Sequence, residues 1–142
     1  MPFTNPPREE IKGLLDRARS IAVVGLSDNP FRTSHGVAAA MQRFGYRIIP
    51  INPLVDGALG ERAFDSLASA AKALGPGRAP DIVNVFRRSE HVSGIVDECI
   101  ALGLPALWLQ EGVIDDAAAG RARDAGLFVV MNRCIMKDRM KM

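Results

Sequence analysis

Cysteine and histidine are scarce in this sequence of 142 residues, which contains only two of each. Cys99 and Cys134 form no CxxC pair, and His35 and His91 lie far apart, so no spacing typical of a structural zinc site occurs. Two cysteines do not make a disulfide framework. The sequence therefore predicts a cytoplasmic protein that binds no metal.

Long hydrophobic runs and excess charge are also missing. No apolar stretch approaches the roughly 20 residues that a membrane-spanning helix needs, and residues 1–8 contain no apolar signal core. The formal net charge of +2 is too small to attract nucleic acid by bulk electrostatics. We therefore expect a soluble protein without membrane or nucleic-acid partners.

Patterns that carry catalysis are equally hard to find. The sequence has no GxSxG serine elbow, and its adjacent acids Asp115 and Asp116 are typical of a helix start rather than of an acid–base pair. Ser27 and His35 have no evident acid to orient them. The expectation is a protein that is not an enzyme.

What the sequence does contain is a series of short apolar blocks within a composition that is 48% hydrophobic. Each block is strand-sized and continuously apolar, which is typical of parallel strands that are covered on both faces. The predicted strands are Ile21–Gly25, Tyr46–Ile51, Asp81–Phe86, Ala106–Gln110 and Leu127–Met131.

Helical patterns separate these blocks. Three of the predicted helices cover Pro7–Ser20, Ser66–Leu74 and Ala117–Ala125. A fourth includes Val37 and Phe44 and ends at Gly45, and a fifth is capped by Ser89 and followed by Gly103. A loop with one extended piece at Arg62–Phe64 follows the second strand. The alternation predicts a Rossmann-like α/β fold, a doubly wound parallel sheet of about five strands in a three-layer α/β/α arrangement. One domain covers residues 1–142, with flexible ends at 1–7 and 138–142.

The loop after the first strand, Gly25–Gly36, is the main candidate for binding chemistry. Gly25 permits a tight turn, and hydroxyls, Arg32 and a helix start follow, which together favour phosphate. An ordinary turn capped by Ser34 or Thr33 is the alternative. The loop is neither GxGxxG nor Walker A, and Asn52 stands where a dinucleotide site usually has an acid, which argues against NAD.

Ordered motifs at the strand ends resemble those of the small stand-alone bacterial CoA-binding proteins, which are related to the CoA-binding domain of the succinyl-CoA synthetase alpha subunit. The resemblance covers roughly residues 8–138. The matching segments are Val23–Ser27 with Pro30–Ser34, Ile51–Pro53, Val85–Arg88, Trp108–Val113 and Asn132–Cys134.

This resemblance implies a coenzyme A or acyl-CoA site built from the strand-end loops, with NAD(P) a less favoured cofactor. Gly25, Ser27, Arg32 and Ser34 would hold the pyrophosphate. Asn52 and Pro53 would border the nucleotide, Phe86 and Arg87 would flank the adenine–pantetheine region, and Gln110 and Gly112 would line the pantetheine path. The implied role is a non-catalytic carrier, sensor or regulator in acyl-CoA metabolism.

Several alternatives remain open from the residues. The chain could instead be an NAD(P)-binding redox sensor, or the cofactor-binding subunit of an acyl-CoA synthetase that a partner chain completes; a homodimer is a further option. Arg87 and Arg88 are either ligand-binding or a solvated helix start. Cys134 is either a buried apolar residue or a redox-active thiol, and Trp108 is expected in the core.

Overall fold

The apolar blocks form one five-stranded parallel sheet in the computed structural model, which describes residues 2–142. Numbered along the chain, the strands are β1 (Ser20–Val24), β2 (Arg47–Ile51), β3 (Gly57–Ala58), β4 (Glu61–Arg62), β5 (Ile82–Val85), β6 (Ala106–Leu109) and β7 (Phe128–Val130). The large sheet has the order β2-β1-β5-β6-β7, and β3 and β4 make a separate antiparallel pair.

In the part of the chain that the structure describes, six α-helices cover the two faces of the sheet. They are α1 (Arg8–Arg17), α2 (Thr33–Arg43), α3 (Leu67–Leu74), α4 (Val92–Leu102), α5 (Asp116–Asp124) and α6 (Ile135–Met140). Buried residues of α1, α2 and α6 form one apolar cluster, and those of α3, α4 and α5 form another. This is the predicted three-layer, doubly wound fold.

The continuous burial of the strands explains why the sequence pattern was informative. Every residue of β5 and β6 is buried, and so are four of the five residues in both β1 and β2. Such strands contribute apolar side chains to both layers of the core. All five predicted strands are confirmed, with ends that differ by one residue at most.

Three local predictions are wrong. The first helix ends at Arg17, and Ser20 already belongs to β1. Ser89 does not cap α4, because a 3-10 turn precedes that helix and the Ser89 hydroxyl accepts a hydrogen bond from the backbone of Ile114 at 2.9 Å. The segment predicted as mostly loop contains the β3–β4 hairpin, and its turn holds Leu59 and Gly60 at φ of 56° and 78°.

Both chain ends make ordered contacts. The Asn5 side chain donates from Nδ2 to the carbonyl of Met131 at 2.9 Å and accepts on Oδ1 from the Met131 N–H at 2.7 Å. These two hydrogen bonds hold the N-terminal segment beside the end of β7. At the other end, residues 138–140 lie in α6, where Asp138 pairs with Arg133. The flexibility expected for residues 1–7 and 138–142 stays a prediction.

Candidate functional site

The strand order places a crevice at the carboxyl ends of β1 and β5. From β1 the chain first moves outward to β2 and then crosses back to β5 on the other side, so the two connections diverge there. Ligands of open parallel sheets bind at such a switch point. Gly25 and Phe86 follow directly on the two strands, and the Phe86 N–H donates to the Val24 carbonyl at 2.9 Å.

Gly25 is required by the geometry of this crevice. Its φ is +88°, a conformation that residues with a side chain rarely adopt. A Cβ at this position would lie 2.9 Å from the Phe86 carbonyl oxygen and 3.0 Å from Cδ of Arg87. The turn after β1 therefore packs directly on the turn after β5, which only glycine permits.

The rest of the first loop is held by its own polar groups. The buried Ser34 accepts a hydrogen bond on Oγ from the Ser27 N–H at 3.0 Å, and the Ser27 hydroxyl accepts one from the Asn29 N–H at 3.0 Å. Each hydroxyl keeps its own proton for donation to another acceptor. These bonds fix the shape of the loop and bring Ser27 and Ser34 together.

The start of α2 is uncapped. The alternative of a turn capped by Thr33 or Ser34 is wrong, because Arg32 is at the N-cap position and no side chain caps the helix. Within residues 2–142 the backbone N–H groups of Thr33 and Ser34 have no acceptor. Unpaired N–H donors at the positive end of an eleven-residue helix favour an anion.

Two arginines supply positive charge to the crevice. Arg87 is half-buried with its side chain against Gly25, and Arg32 is exposed at the start of α2. Neither has an ion-pair partner in the described chain, whereas the more exposed Arg88 approaches Glu90 at 3.9 Å. The structure therefore favours Arg87 over Arg88 as the arginine that faces a ligand.

The loop after β2 borders the first loop. The Asn52 amide donates from Nδ2 to the Leu26 carbonyl at 3.0 Å and accepts on Oδ1 from the Leu54 N–H at 2.9 Å, so it ties the two loops together. Pro53 is exposed beside it. Leu54 and Phe31, which the sequence reasoning did not select, are 89% and 95% exposed, and each is two positions or fewer from a predicted site residue.

Gln110 and Gly112 extend the same edge towards β7. Gln110 follows β6, and its N–H donates to the Val85 carbonyl at 3.3 Å. Gly112 has a φ of +83° and donates to Oδ1 of Asn132 at 2.8 Å. The structure thus brings Gly25, Phe86, Arg87 and Gln110 to neighbouring strand ends, with Gly112 and Pro53 further out.

Cys134 is at the far end of this edge, directly before α6. It is buried, and it lines a shallow cleft together with charged residues of the β6–α5 loop and of α6. Lys137 and Glu111 form an ion pair across this cleft, with Nζ and Oε2 3.1 Å apart. The redox role of Cys134 stays a prediction.

The Cys99 thiol is expected to be unreactive in the folded protein. Burial, with a smaller contribution from Glu98, raises the pKa of Cys99 from 9.0 to about 12, and the thiolate is the form that alkylating reagents attack. We expect iodoacetamide at pH 8 to leave Cys99 unmodified in the folded protein and to label it in urea, as peptide mass spectrometry will show. Labelling of Cys99 in the folded protein at the rate seen in urea would contradict this.

In residues 2–142, neither a metal site nor a membrane-spanning helix is present. That part of the chain holds no group of three or more His, Cys, Asp or Glu side chains arranged for a metal ion. None of its helices combines the length and the apolar character that crossing a membrane demands.

The fold and the crevice together define a class of protein. A doubly wound parallel sheet of this strand order is a Rossmann-like α/β fold, and the hydroxyls, uncapped N–H groups and arginines lie at its switch point. The chain belongs to the CoA binding domain family, whose model matches residues 19–140.

Individual relatives resemble this chain over nearly its whole length. The chain is 46% identical over 131 residues to the uncharacterized protein YneT of Bacillus subtilis (strain 168), covering 92% of this chain and 93% of that protein. A hypothetical protein from Pyrococcus horikoshii OT3 is 28% identical with a TM-score of 0.85, over 99% of this chain and 98% of that one. Cell-free ID.343 from Thermus thermophilus is 30% identical with a TM-score of 0.84, over 96% and 98% of the two chains.

Proposed function

We propose that this protein binds coenzyme A or an acyl-CoA through the switch-point crevice and acts as a non-catalytic carrier, sensor or regulator in acyl-CoA metabolism. The observation that carries the proposal is the anion cradle around Gly25. There the half-buried Arg87 lies against Gly25, and the hydrogen bond from the Ser27 N–H to Oγ of Ser34 ties the same loop to the start of α2 with its uncapped N–H groups. Membership of the CoA binding domain family supports CoA as the ligand in general.

The donors at the crevice fit the chemistry of CoA. The ligand carries a pyrophosphate and a ribose 3′-phosphate, and therefore needs several cationic or N–H donors. Arg32, Arg87, the N–H groups of Thr33 and Ser34 and the hydroxyl proton of Ser27 supply such donors. NAD sites usually have an acid at the position of Asn52, where it binds the ribose. Here the Asn52 side chain is instead hydrogen-bonded to the backbones of Leu26 and Leu54.

A binding role rather than a reaction is supported by how the hydroxyls are used. The oxygens of Ser27 and Ser34 each accept a hydrogen bond from an amide of their own loop, which makes them part of the cradle's framework. A nucleophilic serine needs a base within hydrogen-bond reach of its proton. In residues 2–142 neither hydroxyl donates to a histidine or a carboxylate.

One observation favours a second candidate, the cofactor-binding subunit of an acyl-CoA synthetase that a partner chain completes. Phe31 and Leu54 expose large apolar side chains beside the crevice, where a partner could cover them. This candidate requires that thioester formation or cleavage appears only when a co-purified partner is present. Turnover by the isolated chain would contradict both candidates.

A thermal-shift titration tests the choice of ligand. The purified protein is heated with CoA, acetyl-CoA, NAD, NADP or ATP at matched concentrations. A ligand present at 100 times its dissociation constant stabilises the folded state by about 2.7 kcal/mol. For a domain of this size we expect CoA or acetyl-CoA to raise the melting temperature by several degrees.

The comparison between ligands decides the outcome. Because the pantetheine arm distinguishes CoA from the other adenine nucleotides, we expect NAD, NADP and ATP to produce smaller shifts than CoA. A shift with NADP and none with CoA would contradict the proposal and would favour the NAD(P)-binding redox sensor.

A further inference from the structure

A second cleft opens at the amino ends of β1 and β2, on the opposite edge of the sheet from the crevice. It lies where the ends of α1 and α2 meet α6, and its volume is about 110 Å³. The charged residues that line this amino-edge cleft are two arginines, Arg19 and Arg139, and one acid, Asp16. Arg19 and Asp16 are exposed and Arg139 is half-buried, so the cleft is open to solvent and carries one excess positive charge.

Arg139 is held in place at the wall of this cleft but has no acceptor. Its guanidinium carbon lies 4.4 Å from the centroid of the Phe44 ring. Its Nε is fully enclosed and has no hydrogen-bond partner, and within residues 2–142 the side chain forms no ion pair. Stacking on a ring engages one face of a guanidinium and leaves the N–H donors in its plane free. The side chain is therefore oriented by Phe44 while its donors stay unpaired.

The backbone around the cleft does not supply the missing acceptor. Nη1 of Arg19 donates to the last three carbonyls before it, those of residues 16, 17 and 18, at 3.1, 3.3 and 3.2 Å. The hydroxyl of Tyr46 donates to the carbonyl of Leu15. The carboxylate of Asp16 forms an ion pair with neither arginine. Arg19 thus neutralises the end of α1, and the charge of Arg139 is left over.

The size and the donors of the cleft define the kind of ligand that it can take. A planar guanidinium matches the paired oxygens of a carboxylate or a phosphate group. Partly buried donors without a partner favour a ligand that supplies an acceptor. Sites for drug-sized molecules occupy roughly 300–1,000 Å³, so a cleft of about 110 Å³ suits a small anion or the charged end of a larger molecule.

We propose that the amino-edge cleft binds an oxyanion, the carboxylate or phosphate group of a small molecule, through the guanidinium of Arg139, with Arg19 adding positive charge. The site is separate from the switch-point crevice, because it lies at the other ends of the strands and shares no residue with it. The inference therefore does not rest on the proposed function.

The test is a nuclear magnetic resonance titration of the isotope-labelled protein with inorganic phosphate or with acetate. Sodium chloride keeps the ionic strength constant and serves as the reference anion. The backbone amides of Gly45 and Tyr46 report on the amino-edge cleft, and that of Gly25 reports on the crevice, where phosphate is also expected to bind. We expect saturable shifts at Gly45 and Tyr46 with at least one of the two anions. Saturation by acetate alone assigns a carboxylate, and saturation by phosphate alone assigns a phosphate group.

Three variants identify the residue that binds the anion. Arg139→Met removes the donors while keeping an apolar chain over Phe44, and it should raise the dissociation constant at the cleft at least about tenfold, as for one lost charged hydrogen bond. Arg139→Lys keeps the charge but loses the planar fork, and should weaken binding at least about threefold if Arg139→Met folds poorly. Arg43→Met is the matched control. It removes an equal charge from an exposed position in the last turn of α2, outside the cleft, and should change the constant by less than about twofold.

The outcomes separate this inference from the proposed function. Shifts at Gly45 and Tyr46 that never saturate would overturn the inference, and so would equal losses in Arg43→Met and Arg139→Met. Saturation at Gly45 without any response of Gly25 to phosphate would support the amino-edge site and would count against the anion cradle of the crevice.

Discussion

Gly25→Ala is expected to destabilise the protein by about 1–3 kcal/mol and to weaken CoA binding by at least about tenfold. At a φ of +88° any side chain is strained, and the new Cβ would press against the Phe86 carbonyl oxygen and Cδ of Arg87. Both contacts belong to the turn after β5, so relief of the clash must separate the two halves of the crevice. Chemical denaturation and calorimetry measure the two effects.

Gly45→Ala is the matched control for this change. Gly45 also has a positive φ, +106°, but no atom lies within 4 Å of the position that its Cβ would take. It ends α2 on the opposite side of the fold from the crevice. We expect a loss of stability of about 1–2 kcal/mol from backbone strain and an unchanged affinity for CoA. Equal affinity losses in the two variants would show that strain alone, rather than the close approach of the two turns, is responsible.

The architecture could be predicted from the sequence because the strands are buried on both faces. Blocks such as Ile82–Val85 are entirely apolar apart from Asn84, and glycines such as Gly103 follow the helices that separate them. The β3–β4 hairpin was missed for a physical reason. Its strands are two residues long, which is too short to display an alternating pattern. Its turn includes Leu59 at a positive φ, which is not expected for leucine.

The candidate site was predictable only in part. The position of Gly25 after the first strand and the loop hydroxyls were visible as a pattern, and the family resemblance placed CoA there. The hydrogen bonds of Ser89 with Ile114 and of Asn84 with Gln110 were not visible, because the partners are about 25 residues apart along the chain. Side-chain bonds across strands depend on register and strand order, which local sequence does not encode.

Loss of both crevice arginines is expected to have the largest effect on binding. A hydrogen bond to a charged group contributes about 1.5–3 kcal/mol, which corresponds to roughly 10–150-fold in affinity for Arg32→Ala or Arg87→Ala alone. Arg32 is exposed and Arg87 is half-buried against Gly25, so the Arg87 contact is less screened by water and salt. We therefore expect the greater loss from Arg87→Ala, and a loss above about 100-fold when both are replaced.

Salt dependence and a third arginine separate this effect from a general change of charge. Raising the ionic strength should weaken CoA binding to the wild type more than to the doubly substituted protein, because the phosphate contacts have been removed from the latter. Arg47→Ala removes an equal charge at the exposed amino end of β2, on the opposite edge of the sheet, and should change the affinity by less than about threefold. If Arg47→Ala weakens CoA binding as much as Arg87→Ala does, the arginines act through net charge and the phosphates are bound elsewhere. If it does not, the two crevice arginines locate the phosphates between the start of α2 and the point where the turns after β1 and β5 meet.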